Sequence, residues 1–205
     1  MPISDETVAL WEAQAEAGGV TNCTGTHTIS SNTTLGPRKY TCNLLISGNP
    51  EITLVGPVWV QGDFQVNNNA TFKVAGSQSG RSMAIIAHKP TNQSSSSRIL
   101  IDNNAKFQGV GAGSYIALVS QNNSAELGGS VRAINMSNNA SGDYFLYAGH
   151  GLIYLDNNAN LNQITAYQII LDNNATISYE TGMANLIFSS GPGGTWNIGD
   201  WFEIE

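Results

Sequence analysis

The sequence is short of charge. Asp, Glu, Lys and Arg make up 11% of its 205 residues, against roughly 25% in an ordinary globular domain. What charge there is leans acidic, with 15 acids, 8 bases and a formal net charge of −7. From residue 107 onward the sole basic residue is Arg132. Without a basic cluster the chain has no electrostatic footprint for nucleic acid or for an anionic membrane surface. No apolar run approaches the ~18 residues of a membrane span, and the first residues do not read as a secretory leader. The two cysteines, Cys23 and Cys42, are too few for a disulfide scaffold but could form one bridge. That bridge would tie the N-terminal segment to the following domain. Disorder is excluded as well, because hydrophobic residues supply 41% of the chain and run throughout it.

Neutral polarity replaces the missing charge: 23 Asn and 22 Gly stand beside many Ser and Thr. Residues 4–17, SDETVALWEAQAEA, read as one amphipathic helix. Ser4 suits the N-cap, Asp5 and Glu6 suit the positive end, and Gly18-Gly19 suit the stop. Val8, Trp11 and Ala15 share a face. We therefore divide the chain into an N-terminal helix, 1–19, and a second domain, 20–205, where short Val/Ile/Phe/Tyr runs alternate with Gly, Asn, Pro and Ser.

Those runs repeat. FQVNNNATF, ILIDNNAKF, LVSQNNSAEL, INMSNNASG, IYLDNNANL and IILDNNATI share one pattern, with weaker copies LLISGNPEI and LIFSSGPGG at the flanks. The residues before the Asn pair are Ser47, Asn67, Asp102, Gln121, Ser137, Asp156, Asp172 and Ser189, spaced 20, 35, 19, 16, 19, 16 and 17 apart. The long interval contains TNQSSSSR, read as a surface insertion. Strand-type repeats of this length predict a solenoid: a mainly β, single-stranded parallel β-helix of about eight coils, right-handed, roughly 35 Å long at the ~4.8 Å strand spacing. The C-terminal GTWNIGDWFEIE, with Trp196, Trp201 and Phe202, reads as an aromatic cap over the open end.

Alternation along each strand points Leu44, Phe64, Ile99, Leu118, Ile134, Ile153, Ile169 and Leu186 inward. Five residues past each anchor a second inward row contains Ile52, Phe72, Phe107, Leu161 and Ile177, but Glu126, Gly142 and Gly194 break it. The same phase places the first Asn of each pair inside, as a structural ladder of Asn68, Asn103, Asn122, Asn138, Asn157 and Asn173, with the second Asn at the corner. Stacked amides can donate to one neighbour and accept from the other. The opposite phase points Leu45, Gln65, Leu100, Val119, Asn135, Tyr154, Ile170 and Ile187 outward. Such a patch is larger than monomers usually leave open. Leu100, Val119, Tyr154, Ile170 and Ile187 are thus the candidate docking stripe, partly covered by the helix and otherwise free for a partner.

Chemistry is sparse. Asp63, Asp143, Asp200, Glu51, Glu126 and Glu180 form no short-range pair. His27, His88 and His150 are far apart and lack metal-ligand spacing, so His150 reads as a turn residue. Asp102, Asp156 and Asp172 lack the glycine-rich context of a calcium repeat. The eight Asn-x-Ser/Thr triplets follow from composition. No catalytic residue, metal or cofactor is expected.

LGPRKYTCNLLISGN, SQNNSAELGG, YAGHGLIYLDNNA and YETGMANLIFSSGPGGTWNIGDWFEIE resemble bacterial surface proteins of the type IV pilus minor-pilin-like (PilX-type) group. The resemblance covers nearly the whole chain from about residue 20 and is architectural. It implies a β-helical domain of unassigned function, an extracellular location, and a membrane helix preceding residue 1 in the natural protein. The expected function is a non-enzymatic structural or adhesive surface protein that docks or assembles through its β-helix faces. Its partner would be a protein or a pilus, with a surface glycan also possible. The alternative is a carbohydrate-binding or carbohydrate-active β-helix, recognisable by two carboxylates within about 10 Å in one groove.

Overall fold

The computed structural model describes residues 3–137, 139–156, 160–161, 163–172 and 176–177. Helix α1 runs Asp5–Ala17. The Ser4 hydroxyl accepts from the Thr7 N–H at 3.3 Å, satisfying one of the amides that a helix start leaves without a partner. Hydrogen bonding to its backbone amide and to the Ser4 hydroxyl holds the Glu6 carboxyl below its ordinary value. The helix ends at Gly18, where a Cβ would lie 2.3 Å from the Pro37 carbonyl oxygen, so the chain can turn into the sheet there only without a side chain.

Apart from a short 3-10 turn at Gly76–Gln78, the rest of the described chain is strand and turn, and every strand pairing is parallel. Three stacks build up. The first holds β1 (Val20–Thr21), β4 (Arg38–Tyr40), β7 (Val58–Val60), β10 (Met83–Ala87) and β13 (Ile116–Ser120). The second holds β2 (Thr26–Ile29), β5 (Asn43–Ile46), β8 (Phe64–Val66), β11 (Ile99–Ile101) and β14 (Arg132–Met136). The third holds β3 (Thr33–Leu35), β6 (Glu51–Leu54), β9 (Thr71–Val74), β12 (Lys106–Gln108) and β15 (Ser141–Gly142). Each strand pairs with the strand three later along the chain. The long β16 (Tyr144–Leu155) bends around Gly149-His150-Gly151 and joins the first stack to the second, and β18 (Gln163–Leu171) pairs along it. Between them β17 (Asn160–Leu161) pairs with β19 (Thr176–Ile177). The result is a strongly curled parallel sheet, consistent with a parallel β-helix.

The expected inward rows form the core through Ile153 and Leu161, but Ile169 and Ile177, also expected inside, are 41% and 37% exposed. In the second stack His27, Leu44, Phe64, Ile99, Ile134, Ile153 and Ile169 lie in register. In the third, Ile52, Phe72, Phe107 and Gly142 do so. Phe72 and Phe107 stack at 5.2 Å, and Phe107 meets Tyr144 at 4.9 Å. The Tyr144 hydroxyl lies within hydrogen-bond distance of Met136 Sδ and the Ala140 carbonyl oxygen. Burial pushes its pKa well above the ordinary 10.0.

One copy of the repeat stands in a different stack from the others. Leu118 points inward as expected, but it pairs with Ile85 and Leu146 in the first stack. The second stack passes directly from Ile99 to Ile134. Two successive turns are therefore 35 residues long. Their extra length lies at two corners, including 88–98 and 121–131 between the first and second stacks.

The asparagine ladder is also displaced by one residue. Asn68 and Asn103, expected inside, adopt left-handed backbone (φ 69° and 63°) and sit at the surface corner. The first Asn row keeps one long contact, Asn103 Nδ2 to Asn68 Oδ1 at 3.5 Å, and the longer chain of amides runs through the second Asn. Asn69 Nδ2 donates to Asn49 Oδ1, Asn104 Nδ2 to Asn69 Oδ1, and Asn139 Nδ2 to Asn104 Oδ1. Asn122 is buried but outside any ladder: its side-chain nitrogen holds the Gln93 and Ser96 carbonyls of the 88–98 insertion at 2.7 Å each. Asn138, Asn157 and Asn173 lie outside the described residues, as do Ile187, Ser189 and the aromatic segment 194–205.

Cys23 and Cys42 are bridged, with Cα atoms 5.5 Å apart. The bridge does not fasten the helix. It joins equivalent corners of the first two turns, between the β1–β4 and β2–β5 pairings.

Candidate functional site

Two surfaces follow from this arrangement. The first is the outward middle row of the second stack, which in register reads Thr28, Leu45, Gln65, Leu100, Asn135, Tyr154 and Ile170. Leu45, Leu100 and Tyr154 are partly exposed, and Ile170 is 39% exposed. Arg132 lies 3.5 Å over the Tyr154 ring, and the Tyr154 hydroxyl donates to Asp172 at 2.9 Å. That hydrogen bond is the first cause of a raised Tyr154 pKa.

Val119 does not belong to this row. It lies in register with Lys39, Trp59, Ile86 and Tyr147 on the first stack, and it is fully buried. Helix α1 covers that stack, and not the Leu100 row as expected. Val8, Trp11 and Ala15 pack on Trp59, Ala84, Ile86, Ala117, Val119, Phe145 and Tyr147. Each of the larger aliphatic and Phe side chains removed from water contributes roughly 1.5–3 kcal/mol, so the helix is an integral layer. Polar contacts reinforce it. The Tyr147 hydroxyl donates to the Ile3 carbonyl, and Lys39 lies 4.0 Å over Trp59 while reaching Glu16 at 2.9 Å.

The second surface is a polar cavity of about 430 Å³ where the N-terminal half of α1 meets the two corner insertions and the β16 bend. Val8, Ala9, Asp5 and Glu12 line it from the helix. His88 and Gln93 come from one insertion, Gln121, Asn123 and Glu126 from the next, and His150 from the bend. The bend passes close beneath: a Cβ at Gly151 would lie 2.3 Å from the Ala133 Cβ and 2.7 Å from the Asn122 carbonyl oxygen.

A hydrogen-bonded chain crosses the cavity wall. Glu12 Oε1 lies 2.5 Å from His88 Nδ1, and His88 Nε2 lies 2.9 Å from Gln93 Nε2. An amide nitrogen only donates, so His88 Nε2 accepts and a ring proton faces Glu12 from Nδ1. Gln93 Oε1 in turn faces Asn123 Nδ2 at 3.5 Å. The chain ends at Asn123 Oδ1, which is closed off from solvent and accepts from nothing. On the opposite wall His150 stands between Glu126 at 2.8 Å and Asp5 at 3.5 Å.

Sequence spacing placed none of these groups together. His88 and His150 stand in different turns, and the helix that completes the cavity precedes them all. One signal was present: Glu126 and Ser120 are polar where the repeat phase demands apolar residues, because that segment builds a corner. Among the described residues no group of three or more His, Cys, Asp or Glu is placed to hold a metal ion, and no helix is long and apolar enough to cross a membrane. Comparison with protein-family models, curated proteins and solved structures finds no match for the chain.

Proposed function

We propose that the chain is a non-enzymatic, extracellular surface protein of pilin-like type that assembles with further copies of itself through the outward row of the second stack. The observation that carries this reading is the uncovered state of that row. The one described helix is committed to the first stack, which leaves Leu45, Leu100, Tyr154 and Ile170 partly open to water. Thr28, Leu45, Gln65, Leu100, Asn135, Tyr154 and Ile170 carry no formal charge, so two copies can meet there without like-charge repulsion despite the net acidity. The disulfide favours an oxidising location. We take the coil to be right-handed, as strand-to-parallel-strand crossovers are, and the full chain to make about eight turns, counting the copy at Leu186.

The cavity bears on the alternative, a carbohydrate-active β-helix. Asp5 and Glu126 are bridged by His150 and so lie within about 10 Å of each other, the span of paired glycosidase carboxylates. His150 stands between the two carboxylates, where the sugar of a glycosidase would have to sit. The pair therefore supports binding better than turnover.

Sedimentation velocity over a wide concentration range tests the assembly. The expected result is a concentration-dependent species larger than a monomer, abolished by Leu100→Glu with Ile170→Glu. A monomer at every concentration would overturn it.

A further inference from the structure

The cavity beneath α1 carries a reading independent of assembly. Gln121 lines it and is 5% exposed. Its backbone N–H is spent on the Ala87 carbonyl, yet its side-chain amide makes no hydrogen bond among the described residues. Its amide atoms are not sealed from solvent, and so they open onto the cavity. Beside it is the orphan acceptor Asn123 Oδ1. The contact holding that amide, to Gln93, is long at 3.5 Å.

The unmet valences define the ligand. Gln121 offers a donor and an acceptor, and Asn123 an acceptor. Each of the three carboxylates already has a histidine partner, Glu12 through His88 and Asp5 and Glu126 through His150, which leaves the two amides to read a ligand. What remains is a demand for neutral groups that donate and accept from adjacent atoms, as a vicinal diol does. Val8 and Ala9 form an apolar wall on one side, suited to the C–H face of a pyranose ring. The volume of about 430 Å³ falls in the usual range of about 300–1,000 Å³ for small-molecule sites. We infer that this cavity binds a small neutral saccharide, with Gln121 and Asn123 reading adjacent hydroxyls and the helix as its wall.

The test is a proton NMR titration of the chain with D-glucose, D-galactose and N-acetylglucosamine, each on its own. Three histidines give resolvable ring resonances: His27, His88 and His150. At least one sugar is expected to shift His88 and His150 in a saturable manner and leave His27 in place. Ala9 is an exposed helix position, so Ala9→Trp should fold normally and abolish the shifts by filling the cavity. Gln121→Leu should weaken binding about tenfold, the loss of roughly one buried hydrogen bond. Three results would overturn the inference: no saturable shift with any of the three sugars, an affinity unchanged in Ala9→Trp, or equal movement of all three histidines. Shifts caused by 1,5-diaminopentane and by none of the sugars would equally overturn it, showing a site that reads positive charge.

Discussion

Asn104 donates to Asn69 Oδ1 at 3.0 Å and accepts from Asn139 Nδ2 at the same distance, each partner 35 residues away along the chain. Removing that one side chain breaks the amide row on both sides. Asn104→Ala is expected to lower unfolding free energy by about 1–2 kcal/mol, the sum of two exposed hydrogen bonds. Asn103→Ala should cost a similar amount for a different reason, since a non-Gly side chain in left-handed backbone is disfavoured by roughly 1–2 kcal/mol. Urea midpoints separate the two: Asn103→Gly should restore stability, whereas Asn104→Gly should not.

The bridge closes a loop of 19 residues between two stacked turns. Loop-closure arguments put its contribution at about 3 kcal/mol. Reduction should lower the melting temperature and add the mass of two hydrogens, and Cys23→Ser with Cys42→Ser should reproduce the lower melting temperature without reductant. Equal melting with and without reductant would contradict this.

Trp11 is 3% exposed between α1 and the first stack. Trp11→Ala is expected to cost about 3–5 kcal/mol and to detach the helix before the sheet opens. Val119→Asp, which places a charge under the same layer without changing the helix sequence, should have the same effect. In both variants amide exchange should rise throughout 5–17 while the strands of the second stack stay protected. Uniform loss of protection would show that helix and sheet unfold as one unit.

Tyr144 resists ionisation because its ring lies in the core, where the phenolate would be desolvated. The sign follows from linkage. The unfolded chain loses this proton near pH 10 and the folded chain only above it, so the group's contribution is intact below about pH 10 and is lost as pH rises further. Alkaline denaturation curves should be steeper for the wild-type chain than for Tyr144→Phe. Parallel curves would rule out this role for Tyr144.

The second and third stacks were legible because each has one wet side. Burial alternates residue by residue through NLLI, EITL, FQV and TFKV, and alternation is what sequence reading detects. The first stack is buried on both sides, by core within and helix without. MAIIA and IALVS therefore run apolar without a period, and the latter resembles the second-stack copies because an Asn pair follows it. The ladder was misplaced for a related reason: counting in twos continues past the strand end, but left-handed residues such as Asn68 and Asn103 reset the phase. The cavity was invisible because its groups come from corners, which obey no repeat, and from a helix 76 residues before the histidine it holds.

The stacking of whole turns has a mechanical side. Tension applied towards the C-terminus would peel the sheet a turn at a time, since each strand's backbone pairs only with the turns stacked directly on it. Releasing one of the two 35-residue turns would free roughly 120 Å of slack at full extension, and the shorter turns correspondingly less. Single-molecule stretching should record these unequal steps. Unravelling should then halt where Cys23 and Cys42 staple the first two turns, so that under load the protein lengthens in stages while keeping its N-terminal end folded.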